Sequence, residues 1–400
     1  MTVMKAHINP AVLRWAREQA RLSLDEAAQR AGIADTRKKT AGERLEDWET
    51  GEEIPARTQV TKLAKAYYRP VLTFYMRRPP TQADPIHDFR TLADQAVDED
   101  GNVLQALVRR MRARQQEVIG LLTEEAEGVE PLPFVGRFQK PTSPEVVAAD
   151  IRQVLDLDFG SQRALRDRDT LFRVLRQKAE EAGVFVLLQG DLGSHHTAIE
   201  PETFRGLALA DPIAPFVIIN SNDAKAAHTF TLLHELAHIW AGATGISNLS
   251  PFTGREDTQY LEAFCNRVAT EFLMPKVFFL EAWRQVRDQG LRESIETLAT
   301  EFSISRAAVA HRLWKLGQIE DDDWWERYRA YQAEWKQHRD RLRAREGGPT
   351  YHTTKRSQLG SALIRTVLGA VDAGAITYTR ASRILGVNAK NFDGLRAGLG

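Results

Sequence analysis
Cysteine is almost missing from this 400-residue chain: Cys265 stands alone, so no intrachain disulfide can form and a reducing compartment is the simple expectation. No run of 18 or more apolar residues occurs, and the opening "MTVMKAHINPAVLRW" has no apolar signal core. Both absences argue against a membrane-inserted protein and for a cytoplasmic one. Net charge is missing too, with 54 Lys+Arg against 54 Asp+Glu, so no global field draws the chain to nucleic acid or to a lipid surface. One region can still be lopsided. What is present, 43% hydrophobic and 27% charged residues, is ordinary for a globular protein of about two to four domains.

Periodicity sketches the organisation. Residues 1–80 read as a compact helical unit. "NPAVLRWAREQARL" has an apolar face of Val12, Leu13, Ala16 and Ala20; Ser23 with Glu26 caps "SLDEAAQRAG"; "GERLEDWETG" and "PARTQVTKLAKAYYRP" supply two more helices. Short helices around a tight turn after a small-residue helix point to a helix-turn-helix domain. Residues 81–145 form a helical connector, with "EPLPFVGRFQKPTSP" read as a linker crossing a surface. Residues 146–320 alternate helices with short apolar runs. "VFVLL" reads as a strand, and "FRGLALADPIAPFVIIN" as two neighbouring strands broken at Asp211-Pro212. Residues 242–254 read as a Gly/Ser/Pro-rich loop, and "TQYLEAFCNRVATEFLM" as a helix stopped by Pro275. Residues 321–400 form a C-terminal helical region, and no solenoid period runs through the chain. The expected class is α+β, mostly helical, with a small sheet.

The chemistry concentrates in "HTFTLLHELAHIW", residues 228–240. Residues four apart on a helix are offset by only about 40°, so His234 and His238 can reach one ion. Glu235 sits roughly 100° further round, beside that ion, where it can hold a water. Average residue usage puts the short motif in about one or two per cent of chains this long, so context decides. Leu232, Leu233, Leu236, Ala237 and Trp240 make the rest of the helix apolar, and unpaired histidines there would be costly. Zinc needs a third protein ligand and an open fourth position. Glu262 on the next helix is the best candidate, with 23 residues between it and His238, and with Asn266 one turn later to orient a ligand. His228, the pair His195-His196 and Asp257 are the rivals. Glu235 would act as general base on a water activated by zinc, which attacks a peptide carbonyl. Strand "RGLALAD" or "FVIIN", whichever lies at the sheet edge, could hold the peptide by strand addition. Tyr260, His195, His196, His311 and His352 remain candidates for stabilising the oxyanion.

"FTLLHELAHIW", with "RGLALADPIAPFVIIN" before it and "LEAFCNRVATEFLMP" after it, resembles the ImmA/IrrE family of bacterial metallopeptidases. The resemblance implies a zincin-like metallopeptidase domain with one Zn2+ per chain on His234, His238 and Glu262, and Glu235 as general base. Cys265 stands where the family usually has alanine, a small-for-small change read as structural. The resemblance further implies a regulator that cleaves a repressor, or an antitoxin or toxin partner, in stress response, mobile-element or toxin-antitoxin control. The alternative is a DNA-binding regulator that uses the metallopeptidase fold as a protein-binding scaffold.

The N-terminal unit resembles the phage-repressor (XRE) type of helix-turn-helix, with departures. The segment "ADTRKKTAGERLEDWETG" is longer than usual, and residues 43–53 carry six acids against Arg44 alone. Residues 1–80 nevertheless hold fifteen Lys/Arg and ten Asp/Glu, and Arg37, Lys38, Lys39 and Arg44 are candidate DNA contacts. The unit either binds DNA, recognises a partner protein, or packs on the peptidase. The helical pair at 295–319 reads as structural, with Arg306, His311, Arg312 and Lys315 as a solvated basic face.

Overall fold
The computed structural model describes residues 5–20, 22–80, 87–88, 99–125, 129–139, 142–165, 167–247, 256–343 and 350–398. They fall into two compact units. The first draws on residues 1–85, 96–110 and 191–197, the second on 86–95, 111–190 and 198–400.

In the first unit, α1 (Pro10–Gln19) starts at Asn9, whose side chain accepts from the Ala11 N–H, with proline at the first helical position. Reciprocal capping boxes, Ser23 with Glu26 and Thr40 with Glu43, start α2 (Leu24–Arg30) and α3 (Ala41–Thr50). After α4 (Arg57–Ala66) a short 3-10 turn, Val71–Tyr75, drops Phe74 into a core with Leu13, Ala16, Ala27, Ala28, Leu45, Trp48, Val60 and Leu63. The alanines of α2 keep its contact with α3 close. Arg17 forks onto buried Glu49 through two 2.8 Å hydrogen bonds, which fixes α1 against α3. The helices expected from periodicity at 9–80 are all present.

The second unit centres on a mixed sheet. Its strands are β1 (His87–Asp88), β2 (Phe185–Leu188), β3 (Gly206–Leu209), β4 (Phe216–Ile219) and β5 (Gly245–Ser247), in the order β1-β5-β3-β4-β2. β3 and β4 are antiparallel neighbours, as the broken apolar run suggested; Asp211 turns the chain between them by accepting from the Ile213 and Ala214 N–H groups. β2 runs parallel to β4, β5 antiparallel to β3, and β1 parallel to β5. Every residue of β2, β3 and β4 is buried, which is why they read as unbroken apolar runs rather than alternating ones.

Two expectations fail here. The stretch read as a loop from residue 242 contains β5. Both strands offered as a peptide-binding edge, β3 and β4, are interior, so their backbones are already spent on neighbours. Sheet order depends on pairings distant in sequence, which local periodicity does not report.

Helices α5 (Glu99–Glu125), α6 (Pro144–Val154), α7 (Phe159–Ala164) and α8 (Arg168–Glu181) precede β2, and α9 (Lys225–Ala241) follows β4. α9 packs on α8, β3, β4 and α10 (Glu256–Leu273), and α10 also packs on α6. α9 ends at Gly242, which adopts φ +69° and whose missing Cβ would stand 3.0 Å from the Gly136 Cα. That approach corrects the reading of 130–144 as a surface linker. Phe134 is buried and stacks on Trp240 with ring centroids 4.3 Å apart, while the Gly136 and Phe138 N–H groups take the last carbonyls of α9, Ile239 and Trp240, at 3.0 Å.

Beyond α10 come α11 (Lys276–Val286), α12 (Leu291–Glu301), α13 (Arg306–Lys315), α14 (Asp321–Arg343), α15 (Tyr351–Leu359), α16 (Ser361–Asp372), α17 (Tyr378–Leu385) and α18 (Phe392–Arg396). Leu298, Phe302, Ile304, Val309 and Leu313 of the α12–α13 pair join the same core as the sheet. The basic residues of α13 are only partly the solvated face that was expected: Lys315 is exposed, but Arg312 is not. Arg312 is buried, paired with Glu271 and bonded to the Met274 carbonyl at 3.1 Å; Arg306 pairs with Glu296 and Glu334; Lys315 lies over Trp314. His311 packs against both Trp314 and Trp324, which stack on each other. Among the described residues no helix is long and apolar enough to cross a membrane.

Candidate metal centre
α9 and α10 meet at the residues that periodicity singled out. One turn of α9 separates His234 from His238, so their Nε2 atoms face each other 3.0 Å apart. Glu262, on the adjoining face of α10, places Oε2 3.2 Å from the first and Oε1 2.9 Å from the second. All three side chains are buried, and their ligand atoms lie within 4.8 Å of one another. Asn266, one turn after Glu262, puts Oδ1 3.1 Å from the His234 Nδ1. Glu235 is wholly buried, and among the described residues neither of its carboxylate oxygens has an aligned hydrogen-bond partner.

The donor set fits a divalent cation. Two imidazole nitrogens and a carboxylate crowd one point, and the Glu262 Oε1 is buried without an aligned hydrogen bond despite its closeness to His238. Two imidazole nitrogens with one carboxylate is a donor set that divalent transition ions accept.

The electrostatics agree. Burial pushes the Glu235 carboxyl up to about 8; the charge on His234 pulls it down, Glu262 pushes it further up, and the Ser247 hydroxyl lowers it slightly. Burial also opposes charge on Glu262, but His234 and His238 outweigh it and hold that carboxyl at about 2. His234 is raised because Glu262 overcomes the burial that disfavours its cation, whereas burial keeps His238 low. Cys265 is buried between Phe264 and Asn266, and burial lifts its thiol far above the ordinary range, which makes it structural rather than nucleophilic.

Of the rivals for the third ligand, His228 and His196 are not in this cluster, and the side chain of His195 lies outside the described residues. His228 packs its ring on Phe172, 5.4 Å between centroids, and the backbone of His195 and His196 lies in a 3-10 turn, His195–Thr197. The side chain of Asp257 lies outside the described residues. Of the oxyanion candidates, Tyr260 is exposed, His311 sits in the tryptophan cluster and His352 lies edge-on to Tyr351. Two residues the sequence did not single out also border the centre. Gly206 of β3 lies flat against Glu235, and Ser247 of β5 places its Oγ 3.3 Å from the His238 Nε2. A glycine opening a strand and a serine in a Gly/Ser-rich stretch carry no periodic signal.

In the first unit the proposed DNA contacts are unevenly free. Arg37 and Lys38 are exposed. Lys39 is tied to Asp47 at 2.5 Å and to Glu53 at 3.7 Å, while Arg44 donates to the Ala34 carbonyl and leans over Trp48.

Comparison with curated proteins and with solved structures finds no match. Residues 179–314, which hold β2 to β5, α9 to α12 and all five residues of the centre, match the Peptidase M78 family model, described as an IrrE N-terminal-like domain; the match supports the ImmA/IrrE resemblance and marks this span as a metallopeptidase type.

Proposed function
We propose that the chain is a zinc-dependent endopeptidase coupled to a helix-turn-helix unit, with one Zn2+ per chain, and that it cuts a regulatory protein of the repressor or antitoxin type. The observation that carries this reading is the buried convergence of His234, His238 and Glu262 beside a Glu235 without an aligned partner, inside a span that matches a peptidase family. When bound, the metal supplies Lewis acidity, polarising a peptide carbonyl and bringing the pKa of water toward neutrality. The protein does the rest. His234, His238 and Glu262 hold the ion, and Asn266 keeps the Nε2 of His234 turned inward. Glu235 takes the proton of the attacking water and hands it to the leaving amine.

The first unit suits a protein partner better than a duplex. Lys39 and Arg44 are engaged internally, and the exposed side chains of α3 include Glu43 and Glu46, which repel phosphates. The resemblance to ImmA/IrrE is what points to a repressor or antitoxin as that partner.

The test is paired. Metal analysis of the purified protein is expected to find one zinc per chain. Glu235→Gln is expected to keep that zinc and lose cleavage of a repressor encoded beside the gene by at least about a hundredfold. A scaffold without protease activity predicts no cleavage by the wild type either. Undiminished cleavage by Glu235→Gln would remove the general base from the reading.

A further inference from the structure
β3 and β5 are paired in register, Gly206 opposite Ser247, at the end of the ladder that borders Glu235 and His238. Gly206 has no conformational need to be glycine, since it is not among the residues with positive φ. Its need is steric. A Cβ there would collide with the Glu235 side chain, 2.6 Å from Cδ and 2.8 Å from Cγ. The carboxylate of Glu235 therefore lies directly over bare backbone, in a space that any other residue would fill.

Ser247, fully buried, supplies the polar part of the same hollow. Its Oγ lies 3.3 Å from the His238 Nε2. A histidine that gives that lone pair to a cation can no longer accept a proton from a hydroxyl. A buried hydroxyl left without an acceptor is penalised, and the nearby acceptor without an aligned partner is the Glu235 carboxylate, which lies against the residue opposite Ser247.

We infer that Gly206 and Ser247 are positioning residues for Glu235: the glycine clears the space in which the carboxylate lies, and the serine hydroxyl, opposite that glycine and beside His238, is the donor that aims the carboxylate. This inference rests on the metal-centre reading above and adds to it two residues that bind no metal.

The experiment uses full-length protein loaded with Co2+, whose visible absorption reports the coordination sphere, titrated with acetohydroxamate as probe. A hydroxamate fills the open position of such a centre and shares its proton with the adjoining carboxylate, so its affinity reads the placement of Glu235 without needing a substrate. Glu235→Gln sets the size of the full effect. Gly206→Ala and Ser247→Ala are expected to bind Co2+ within about threefold of wild type, because the three ligands are intact, while acetohydroxamate binding weakens about tenfold and Ser247→Thr restores it. Should Gly206→Ala fail to fold, the serine pair carries the test alone. Hydroxamate affinity unchanged in both Gly206→Ala and Ser247→Ala overturns the inference. So does a loss of Co2+ affinity beyond about tenfold in Ser247→Ala, which would make the serine part of the metal's own coordination. Wild-type protein that takes up no Co2+ is a different failure, because it refutes the metal centre itself.

Discussion

An imidazole can offer either ring nitrogen to a cation, and whatever holds the other nitrogen decides which. At His234 the Nδ1 faces the Asn266 oxygen, so a proton shared there leaves Nε2 with its lone pair toward His238 and Glu262. Asn266→Ala is expected to weaken zinc affinity by about 10- to 100-fold, measured by chelator competition, with the fold retained. Unchanged affinity would show that packing alone orients the ring. A second histidine makes a prediction about pH. Burial, with Lys315 and Arg312 nearby, lowers His311 to about 4, against an ordinary value of 6.5. The unfolded chain therefore binds a proton that the folded one refuses between those values, and stability is complete above pH 6.5 and falls as pH drops toward 4. In urea unfolding, wild type is expected to lose roughly 2 kcal/mol more than His311→Phe between pH 7 and pH 5. Equal losses would mean that His311 titrates normally. At this scale helical spacing alone, legible in the sequence, brings His234, Glu235 and His238 to one place. Glu262 and Asn266 needed the next helix to be placed as well. Gly206 and Ser247 needed the fold, since what matters about them is what crosses the space above them.

Helix α9 delivers the centre, and its far end is held by a glycine with two constraints. Gly242 is left-handed, and its missing Cβ faces Gly136 on the segment that covers the last carbonyls of the helix. An alanine there pays for the conformation, about 1–2 kcal/mol, and then meets backbone that cannot swing away. Gly242→Ala is expected to lower unfolding stability by at least that amount in urea titrations, while Gly193→Ala, where φ is also positive but no atom lies within 4 Å of the missing Cβ, shows the conformational part alone. Equal costs at the two sites would mean that the approach to Gly136 is slack. Element identity was largely legible: helices with caps and faces, and strands as apolar runs. Element partnership was not. A Pro-rich stretch looks like a linker whether or not a phenylalanine in it stacks on a buried tryptophan, and a strand of three residues leaves too little pattern to recognise.

For the molecule as a whole, two units with separate cores share one chain whose charges cancel. The proposed ligands, His234, His238 and Glu262, all belong to the second unit. Ion binding stabilises only the state that holds it, by about 2.7 kcal/mol when free metal is a hundred times its dissociation constant. Calorimetry with and without zinc is expected to move the transition of the second unit and leave that of the first in place. A uniform shift of the whole endotherm would show that the units unfold as one.

The solitary thiol gives the chain a built-in gauge. Cys265 adjoins Asn266 on α10, wholly enclosed, and a reagent such as a maleimide can reach it only when the packing of α10 on its neighbours, α9 and α6 among them, opens. The rate at which label accumulates on the intact protein therefore clocks how often the surroundings of α10 part, and with no other sulfhydryl in 400 residues the signal has a single source.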